Sequence, residues 1–191
     1  MSIKKRGYYP RGDGIVNIEV FPSKGLKPIN LYKRKTKNVK MFCSFSKISK
    51  DSILTALKKI EEPLEKKGFV VNSEIKEENA IDQGSSVLLF SIDSDSIIGL
   101  DGLFDQKTGN YPENTCDFVD YDLSADHHLS DMLVLPACLT KEISVFTVKK
   151  ITKHLETNLY VASKIAGCKY GISRLDSGFE VRIKGNSDSR I

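Results

Sequence analysis

The strongest constraint on the fold is the alternation of helical and strand-like patterns along the chain. Between residues 53 and 64, apolar side chains recur every three or four residues, which predicts an amphipathic helix. A second helix is predicted over residues 153–166 and is closed by Gly167. Strand-like runs precede and follow both helices. This order predicts an α+β fold, in which a βαβ-type unit is interrupted by a small α+β insert.

Two stretches indicate how the chain divides. Residues 22–31 contain two prolines and a glycine, which is typical of a linker. Residues 105–126 are polar and acidic with little periodicity, which predicts a long excursion. We therefore predict an insert domain over residues 32–104, with residues 1–31 and 105–191 forming the main unit.

Two segments with an alternating or turn-bounded pattern predict particular strands. Residues 15–21 place Val16, Ile18 and Val20 on one side, which predicts a half-buried strand. Residues 170–174 and 179–183 are joined by a Leu-Asp-Ser-Gly turn, which predicts a hairpin.

The sequence also constrains the cellular setting. Its longest apolar run, residues 132–139, is far shorter than the ~20 residues that span a bilayer, and the basic start is not followed by an apolar signal segment. We expect a cytoplasmic protein, or a nuclear one in a eukaryote, without a membrane span. The cysteines lie far apart and are expected to be reduced thiols outside any zinc site or disulfide framework: Cys43, Cys116, Cys138 and Cys168.

Charge is strongly segregated along the chain, although the net charge is only +4. Residues 1–68 contain 17 basic and 6 acidic side chains, whereas residues 69–141 contain 3 basic and 14 acidic ones. The basic third, with Lys33, Arg34, Lys35 and Lys37, suits a phosphate backbone. A solvated surface whose field the acidic middle cancels is the alternative.

His154 is the strongest candidate for a catalytic side chain in this sequence. It lies in the first turn of a predicted helix, with Thr157 beside it and Asn158 one turn later. The positive end of the helix dipole favours a phosphate there and disfavours a protonated imidazole, so a neutral histidine could act as a nucleophile. An isolated histidine is more often an ordinary packing or surface residue, and the pattern alone leaves that alternative open.

Adjacent histidines precede a carboxylate at the start of another predicted helix. His127 and His128 are expected to point in different directions, and no third ligand accompanies Asp131 at a suitable spacing. We therefore predict a helix entry here and no resident metal ligand set.

A glycine-rich segment, residues 7–14, opens the first alternating strand. It is compatible with a tight turn or with close approach of the backbone to a phosphate or sugar. Because no lysine follows in the required position, it is not a Walker loop.

Four segments together resemble the RNA 3′-terminal phosphate cyclase family, in the order in which that family uses them. Residues 7–14, Gly-Tyr-Tyr-Pro-Arg-Gly-Asp-Gly, resemble its G-[FY]-[YF]-P-x-G-G-G strand entry, and residues 81–84 contain its D-Q-G segment. Residues 128–133 resemble its [HY]-L-x-D-Q-L helix with Met132 in place of glutamine. Residues 154–158 resemble its H-x-x-T-N segment. The resemblance covers nearly the whole chain and corresponds to the C-terminal part of the family pattern.

The resemblance implies a three-step reaction that consumes ATP and needs Mg²⁺ or Mn²⁺. The imidazole of His154 would take AMP from ATP, pass it to an RNA 3′-terminal phosphate, and the neighbouring 2′-hydroxyl would displace it to give a 2′,3′-cyclic phosphate. Arg11 and Gln83 are implied as candidate RNA or phosphate contacts. Thr157 and Asn158 would support the nucleophile. The implied nucleotide-binding residues are His128, Leu129, Ser130, Asp131 and Met132.

Two alternatives remain beside the enzyme. One is a non-catalytic RNA-binding or ribosome-assembly module of the cyclase-like type. The other is one half of a split enzyme, in which a separate polypeptide supplies the preceding portion of the family pattern. The nucleophilic histidine favours the enzyme, whereas the partial coverage of the pattern favours the alternatives.

Overall fold

The computed structural model describes residues 1–22, 24–112 and 118–186. The chain forms two compact units, each built from several segments. Unit 1 contains Met1–Phe21, Lys37–Ser91 and Gly99–Asp120, and unit 2 contains Pro22–Thr36, Ile92–Ile98 and Tyr121–Ile191. The sequence places residues 1–21 and 105–120 in the main unit. In this division they fall in unit 1, together with most of the expected insert domain. The division into a main unit and an insert domain stays a prediction.

The elements alternate along the chain and make a mixed α+β structure, as the sequence patterns predict. In unit 1 they begin with β1 (Ser2–Lys5), β2 (Ile15–Asn17), β3 (Asn38–Ser46), α1 (Lys50–Lys66) and β4 (Val70–Glu77). These are followed by β5 (Gly84–Ile92) and β6 (Ile97–Leu103). The last residue of β5 and the first two residues of β6 lie in unit 2. The remaining elements, all in unit 2, are α2 (His127–Cys138), β7 (Ile143–Val148), α3 (Lys153–Ala166), β8 (Lys169–Leu175) and β9 (Gly178–Lys184).

Unit 1 is organised around a four-stranded sheet with the order β4-β3-β5-β6. Strands β3 and β4 are parallel and are joined through α1, whereas β5 runs antiparallel to β3. Helix α1 buries its apolar face through Ile53, Leu57, Ile60 and Leu64, as the helical spacing predicts. Gly68 has a φ of 79°, the left-handed conformation that a glycine adopts without steric cost just after a helix.

Unit 2 contains the βαβ-type unit. Its sheet has the order β7-β9-β8, and β9 is antiparallel to both neighbours, so β7 and β8 are parallel and α3 is the crossover between them. Phe146, Leu155, Leu159 and Ile183 are fully buried in the core. The strand bounds of β7 and the helix bounds of α3 are those the sequence predicts, and Gly167 ends α3 with a φ of 68°.

The end of the expected linker, residues 22–31, is an ordered part of unit 2 that is hydrogen-bonded to β7. The N–H of Val145 donates to the carbonyl oxygen of Ile29 at 2.6 Å, and the N–H of Leu31 donates to the carbonyl oxygen of Val145 at 2.9 Å. Leu31 joins the core. Proline and glycine content marks a break in regular structure, but it does not reveal that the chain beyond the break pairs with a strand 115 residues away.

The predicted half-buried strand over residues 15–21 is wrong. Only Ile15–Asn17 is a strand, paired with β1 in a two-stranded sheet, and Ile18 and Val20 are 66% and 87% exposed. Alternation shows that a strand has an apolar side, but burial requires another layer to cover it.

The acidic excursion, residues 105–126, also carries more structure than its pattern predicts. Tyr111 and Phe118 are buried in unit 1, and Leu123 and Ala125 are buried in unit 2. Part of this segment, residues 113–117 with Cys116, lies outside the described residues. None of the helices that the structure describes has the length and apolar content needed to cross a membrane.

Asp93 holds a loop of unit 2 to residues 35 and 36. Its Oδ2 accepts hydrogen bonds from the backbone N–H groups of Lys35 at 2.8 Å and Thr36 at 2.9 Å, and its Oδ1 accepts one from Asp95 N–H at 2.8 Å. Burial raises the pKa of this carboxyl, but the hydrogen bonds outweigh it and lower the pKa to about 2.

We expect Asp93→Asn to remove an acid-sensitive contribution to stability. Because the folded pKa lies below the unfolded value, the carboxylate contributes about 2 kcal/mol above roughly pH 4, and this is lost as the pH falls towards 2. Urea unfolding of both proteins between pH 7 and pH 2 measures the effect. The difference in unfolding free energy should shrink in acid, and a constant difference would contradict the assignment.

Candidate active site at two helix N-termini

The N-terminus of α2 is fixed by an aspartate that the sequence reasoning missed. The Oδ1 atom of Asp126 accepts hydrogen bonds from the backbone N–H groups of His128 at 2.9 Å and Leu129 at 2.8 Å. This is an N-cap, and it starts the helix at His127. The signal for it was in the sequence, since aspartate immediately before a helical pattern is a preferred cap.

The N-terminus of α3 is fixed in the same way by Thr152. Its hydroxyl oxygen accepts a hydrogen bond from Leu155 N–H at 3.0 Å, and its carbonyl oxygen accepts one from Glu156 N–H at 3.0 Å. His154 is consequently the second residue of α3 and lies exposed in the first turn. At this position a helix presents N–H groups without intrahelical acceptors together with the positive end of its dipole.

A pair of hydrogen bonds joins the two helix starts. The Thr152 hydroxyl donates to Oδ1 of Asp131 at 3.3 Å, and Nδ2 of Asn158 donates to the carbonyl oxygen of Asp131 at 3.3 Å. The structure therefore brings Asp131 and Asn158, two of the predicted site residues, onto the same junction as the helix that carries His154. We call these contacts the Asp131 junction.

The other predicted residues of α2 differ in what they present to solvent. His128 is exposed, and Met132 is 74% exposed. Leu129 packs against the core of unit 2, and the buried hydroxyl of Ser130 donates to the carbonyl oxygen of His127 at 2.9 Å. Side chains at 128 and 132 are therefore open to a ligand, Asp131 is half-buried at the junction, and those at 129 and 130 are occupied by packing.

The two adjacent histidines do not point apart, contrary to the expectation. The ring centroids of His127 and His128 are 3.9 Å apart with the planes tilted by 38°. Within the ranges that the structure describes, no group of three histidine, cysteine, aspartate or glutamate side chains has an arrangement suited to a metal ion.

Thr157 directs its hydroxyl into its own helix. The Oγ1 atom donates to the carbonyl oxygen of Lys153 at 2.7 Å, although the residue is exposed. The hydroxyl donor of Thr157 is therefore engaged within α3, and a supporting role for this residue stays a prediction.

Arg11 and Gln83, the candidate RNA contacts, lie in unit 1. The guanidinium of Arg11 donates to Oδ1 of Asp82 from Nε at 2.9 Å and from Nη2 at 2.7 Å, and its backbone N–H donates to Oδ2 at 2.9 Å. These hydrogen bonds lower the pKa of the Asp82 carboxyl. Arg11 is thus a bridge between the glycine-rich segment and the D-Q-G segment, while Gln83 is exposed.

The glycine-rich segment needs glycine at particular points. A Cβ on Gly7 would lie 2.1 Å from the carbonyl oxygen of Gly12, and one on Gly84 would lie 2.4 Å from the ring of Tyr8. The Tyr8 hydroxyl is hydrogen-bonded to Ser44, with its oxygen 3.0 Å from the carbonyl oxygen. The segment therefore closes on itself and packs on the sheet of unit 1.

A polar cleft of about 400 Å³ lies beside the glycine-rich segment. It is lined by Lys5, Arg11, Lys47, Asn79, Ala80 and Ile81. Lys5 forms an ion pair with Asp13, and Arg11 with Asp82. The ammonium of Lys47 donates to the carbonyl oxygen of Ile81 at 2.6 Å. The cleft therefore carries a small positive excess.

The basic cluster at residues 33–35 is largely matched by acids within unit 2. Lys33 pairs with Asp122 at 3.5 Å, and Lys35 pairs with Asp95. Arg34 is partly buried, which lowers its pKa, although Asp122 and Asp93 act in the opposite direction. These pairs favour the alternative in which acidic residues cancel the local field of this cluster.

Comparison with known proteins identifies the family. The family model for RNA 3′-terminal phosphate cyclase matches residues 1–172. The chain therefore belongs to the RNA 3′-terminal phosphate cyclase family, and the resemblance seen in the four sequence motifs is confirmed.

Individual relatives bear the same name and are longer than this chain. An RNA 3′-terminal phosphate cyclase of Methanococcoides burtonii is 29% identical over 186 residues, which is 96% of this chain and 55% of that protein. One from Nostoc sp. is 26% identical over 192 residues, covering 97% and 54% respectively. One from Methylococcus capsulatus is 42% identical over 62 residues, 32% of this chain and 17% of that protein. The chain spans about half the length of the first two relatives.

Proposed function

We propose that this chain acts in the ATP-dependent conversion of an RNA 3′-terminal phosphate to a 2′,3′-cyclic phosphate, with His154 as the nucleophile. The observation that carries the proposal is the exposed position of His154 in the first turn of α3, whose N-cap Thr152 is bonded to Asp131. The family match includes this whole region.

The first chemical step would use the imidazole as a covalent carrier. Nε2 of His154 attacks the α-phosphorus of ATP, so a P–N bond forms while the P–O bond to the β-phosphate breaks and pyrophosphate leaves. The N-terminus of α3 would stabilise the phosphate charge that faces it.

Two further transfers complete the reaction. An oxygen of the RNA 3′-phosphate attacks the phosphorus of the histidine-bound AMP, which frees the imidazole and activates the RNA end. The adjacent 2′-hydroxyl then attacks the RNA phosphorus, AMP leaves, and the hydroxyl proton is lost to solvent or a nearby base. The chain's contribution in these steps is to hold the phosphates in position at the N-terminus of α3.

Asp131 fits the donor chemistry expected for Mg²⁺ or Mn²⁺. Such an ion is commonly held by one or two carboxylates with substrate phosphates and water completing its shell, and the Asp131 carboxylate is half-buried beside the helix that carries His154. When bound, the ion would neutralise triphosphate charge and orient the leaving group.

The exposed side chains of α2 suit a nucleotide. His128 offers a ring for stacking or hydrogen bonding, and Met132 offers an apolar surface to a base. Leu129 and Ser130 would act indirectly, because their packing fixes the position of α2 and of its backbone N–H groups. Arg11 and Gln83 would contact RNA phosphates from unit 1.

The function is tested with a radiolabelled oligoribonucleotide that ends in a 3′-phosphate. With ATP and Mg²⁺ or Mn²⁺, the labelled end should become resistant to alkaline phosphatase and regain sensitivity after acid opens the cyclic ester. If the chain alone is inactive, the portion of a relative that it does not span is added as a second polypeptide. Inactivity under both conditions would contradict the proposal.

Salt dependence tests the contribution of charge to RNA binding. Affinity for the 3′-phosphorylated oligonucleotide should fall about 10-fold or more between 50 and 200 mM salt, because basic side chains displace counterions from phosphates. Arg11→Gln should lower affinity and flatten this salt slope. Fluorescence anisotropy measures both, and a flat response in the unsubstituted chain would exclude the basic residues as RNA contacts.

We propose as a second candidate a non-catalytic RNA-binding module, which is supported by the polar cleft of unit 1 and its small positive excess. One half of a split enzyme is the further alternative. Activity that requires the second polypeptide would indicate the split enzyme. Salt-sensitive RNA binding without AMP transfer under either condition would indicate the binding module.

A further inference from the structure

Two buried cysteines of unit 2 have sulfur atoms close to bonding distance. Cys138 is the last residue of α2, and Cys168 follows the glycine that ends α3. Their Sγ atoms are 2.7 Å apart, about 0.7 Å more than the ~2.04 Å of a disulfide bond. Both are free thiols within the same core cluster.

We propose that Cys138 and Cys168 are a disulfide-forming pair that closes when the chain meets an oxidising low-molecular-weight disulfide such as oxidised glutathione. The proposal rests on two side chains, one at the end of α2 and one just after α3, that meet at one buried point. It is independent of the function proposed above, because no step at His154 involves either sulfur.

The exchange proceeds in two balanced steps. The thiolate of one cysteine attacks a sulfur of glutathione disulfide, which forms a mixed disulfide and releases one glutathione thiolate. The thiolate of the other cysteine attacks the protein-side sulfur, which forms the Cys138–Cys168 bond and releases the second glutathione. The two protein thiols lose two protons and two electrons, and two glutathione thiols are produced.

Burial determines when this exchange is fast. Cys138 is fully buried, Cys168 is 4% exposed, and burial raises the pKa of the Cys138 thiol, to which its sulfur neighbour also contributes. The thiolate form of Cys138 is therefore scarce in the folded chain. We expect the bond to form readily while the chain folds and to resist external reductants once the core has closed over it.

The bond would join the C-terminal ends of α2 and α3. These are the ends remote from Asp131 and His154, so the crosslink would fix the helix pair without occupying the candidate active site. Because it closes a loop of about 30 residues, it restricts the unfolded chain and should raise the unfolding temperature.

The test refolds the full chain from denaturant in a mixture of oxidised and reduced glutathione. After blocking of free thiols and digestion without reductant, peptides containing Cys138 and Cys168 should be joined, with a mass about 2 Da below their summed thiol forms. The oxidised protein should unfold roughly 5 °C or more above the reduced protein.

Serine variants distinguish this pair from the other cysteines. Cys43→Ser, in unit 1, should retain the crosslink and the temperature shift, whereas Cys138→Ser and Cys168→Ser should lose both. Free or glutathione-capped Cys138 and Cys168 after refolding, or a crosslink to Cys43 or Cys116, would overturn the proposal. Peptide mapping of the unsubstituted chain decides the matter even where a serine variant does not fold.

Discussion

Replacing His154 with alanine is expected to abolish the covalent labelling of this chain by ATP that carries a radioactive α-phosphate. The imidazole is the only group that the proposed mechanism provides for the P–N bond, so the signal should fall by at least ~10²-fold, to background. The adduct of the unsubstituted chain should be labile in acid and stable in alkali, as a phosphoramidate is. Gel autoradiography after acid and alkaline treatment measures this.

The matched control is His127→Ala, an exposed histidine in the first turn of the other helix. It should label like the unsubstituted chain, whereas Asp131→Ala should need more ATP for half-maximal labelling and keep the nucleophile. Because His154 is exposed, its replacement should alter the unfolding free energy by no more than ~0.5 kcal/mol. Full labelling of the His154 variant would eliminate this residue as the nucleophile. If the unsubstituted chain labels only after the portion of a relative that it does not span is added, the control is repeated in that mixture.

The largest loss of stability is expected from Phe146→Ala. Phe146 is fully buried at the centre of β7 and lies within the unit 2 core. Truncating such a ring removes its burial energy and leaves a cavity, which costs about 3–5 kcal/mol. Since whole domains are stable by only ~5–15 kcal/mol, unit 2 should unfold at a much lower urea concentration.

The same truncation at an exposed phenylalanine supplies the control. Phe21 is 77% exposed, so Phe21→Ala should change the unfolding free energy by no more than ~0.5 kcal/mol. Circular dichroism and urea titration of both variants measure the contrast. Equal effects at the two positions would contradict the assignment of Phe146 to the core.

The elements that sequence reasoning located well are those whose signals are local. Strand Ile143–Val148 and helix Lys153–Ala166 have the predicted bounds, because a run of apolar residues and a capped periodic segment act over short distances. The position of His154 in the first turn follows from the same local signals. So does the left-handed conformation of Gly167.

The features that sequence reasoning missed depend on contacts between distant segments. The hydrogen bond between Thr152 and Asp131 exists only once α2 and α3 have packed, and no local pattern encodes that packing. Likewise, the alternation in residues 15–21 correctly marked apolar side chains, but β2 ends at Asn17 and Val20 lies exposed beyond it. The sulfur contact between Cys138 and Cys168 spans 30 positions, which spacing alone could not pair.

The central place of β9 in the sheet of unit 2 has a consequence for the order in which a ribosome makes this chain. Strands β7 and β8 are synthesised first, yet each pairs with β9, the last strand described. Until residues 178–184 have left the ribosomal tunnel, the edges of β7 and β8 that β9 later occupies lack that partner. Nascent chains paused in this interval should therefore be prone to aggregation through these strand edges and should depend on chaperones.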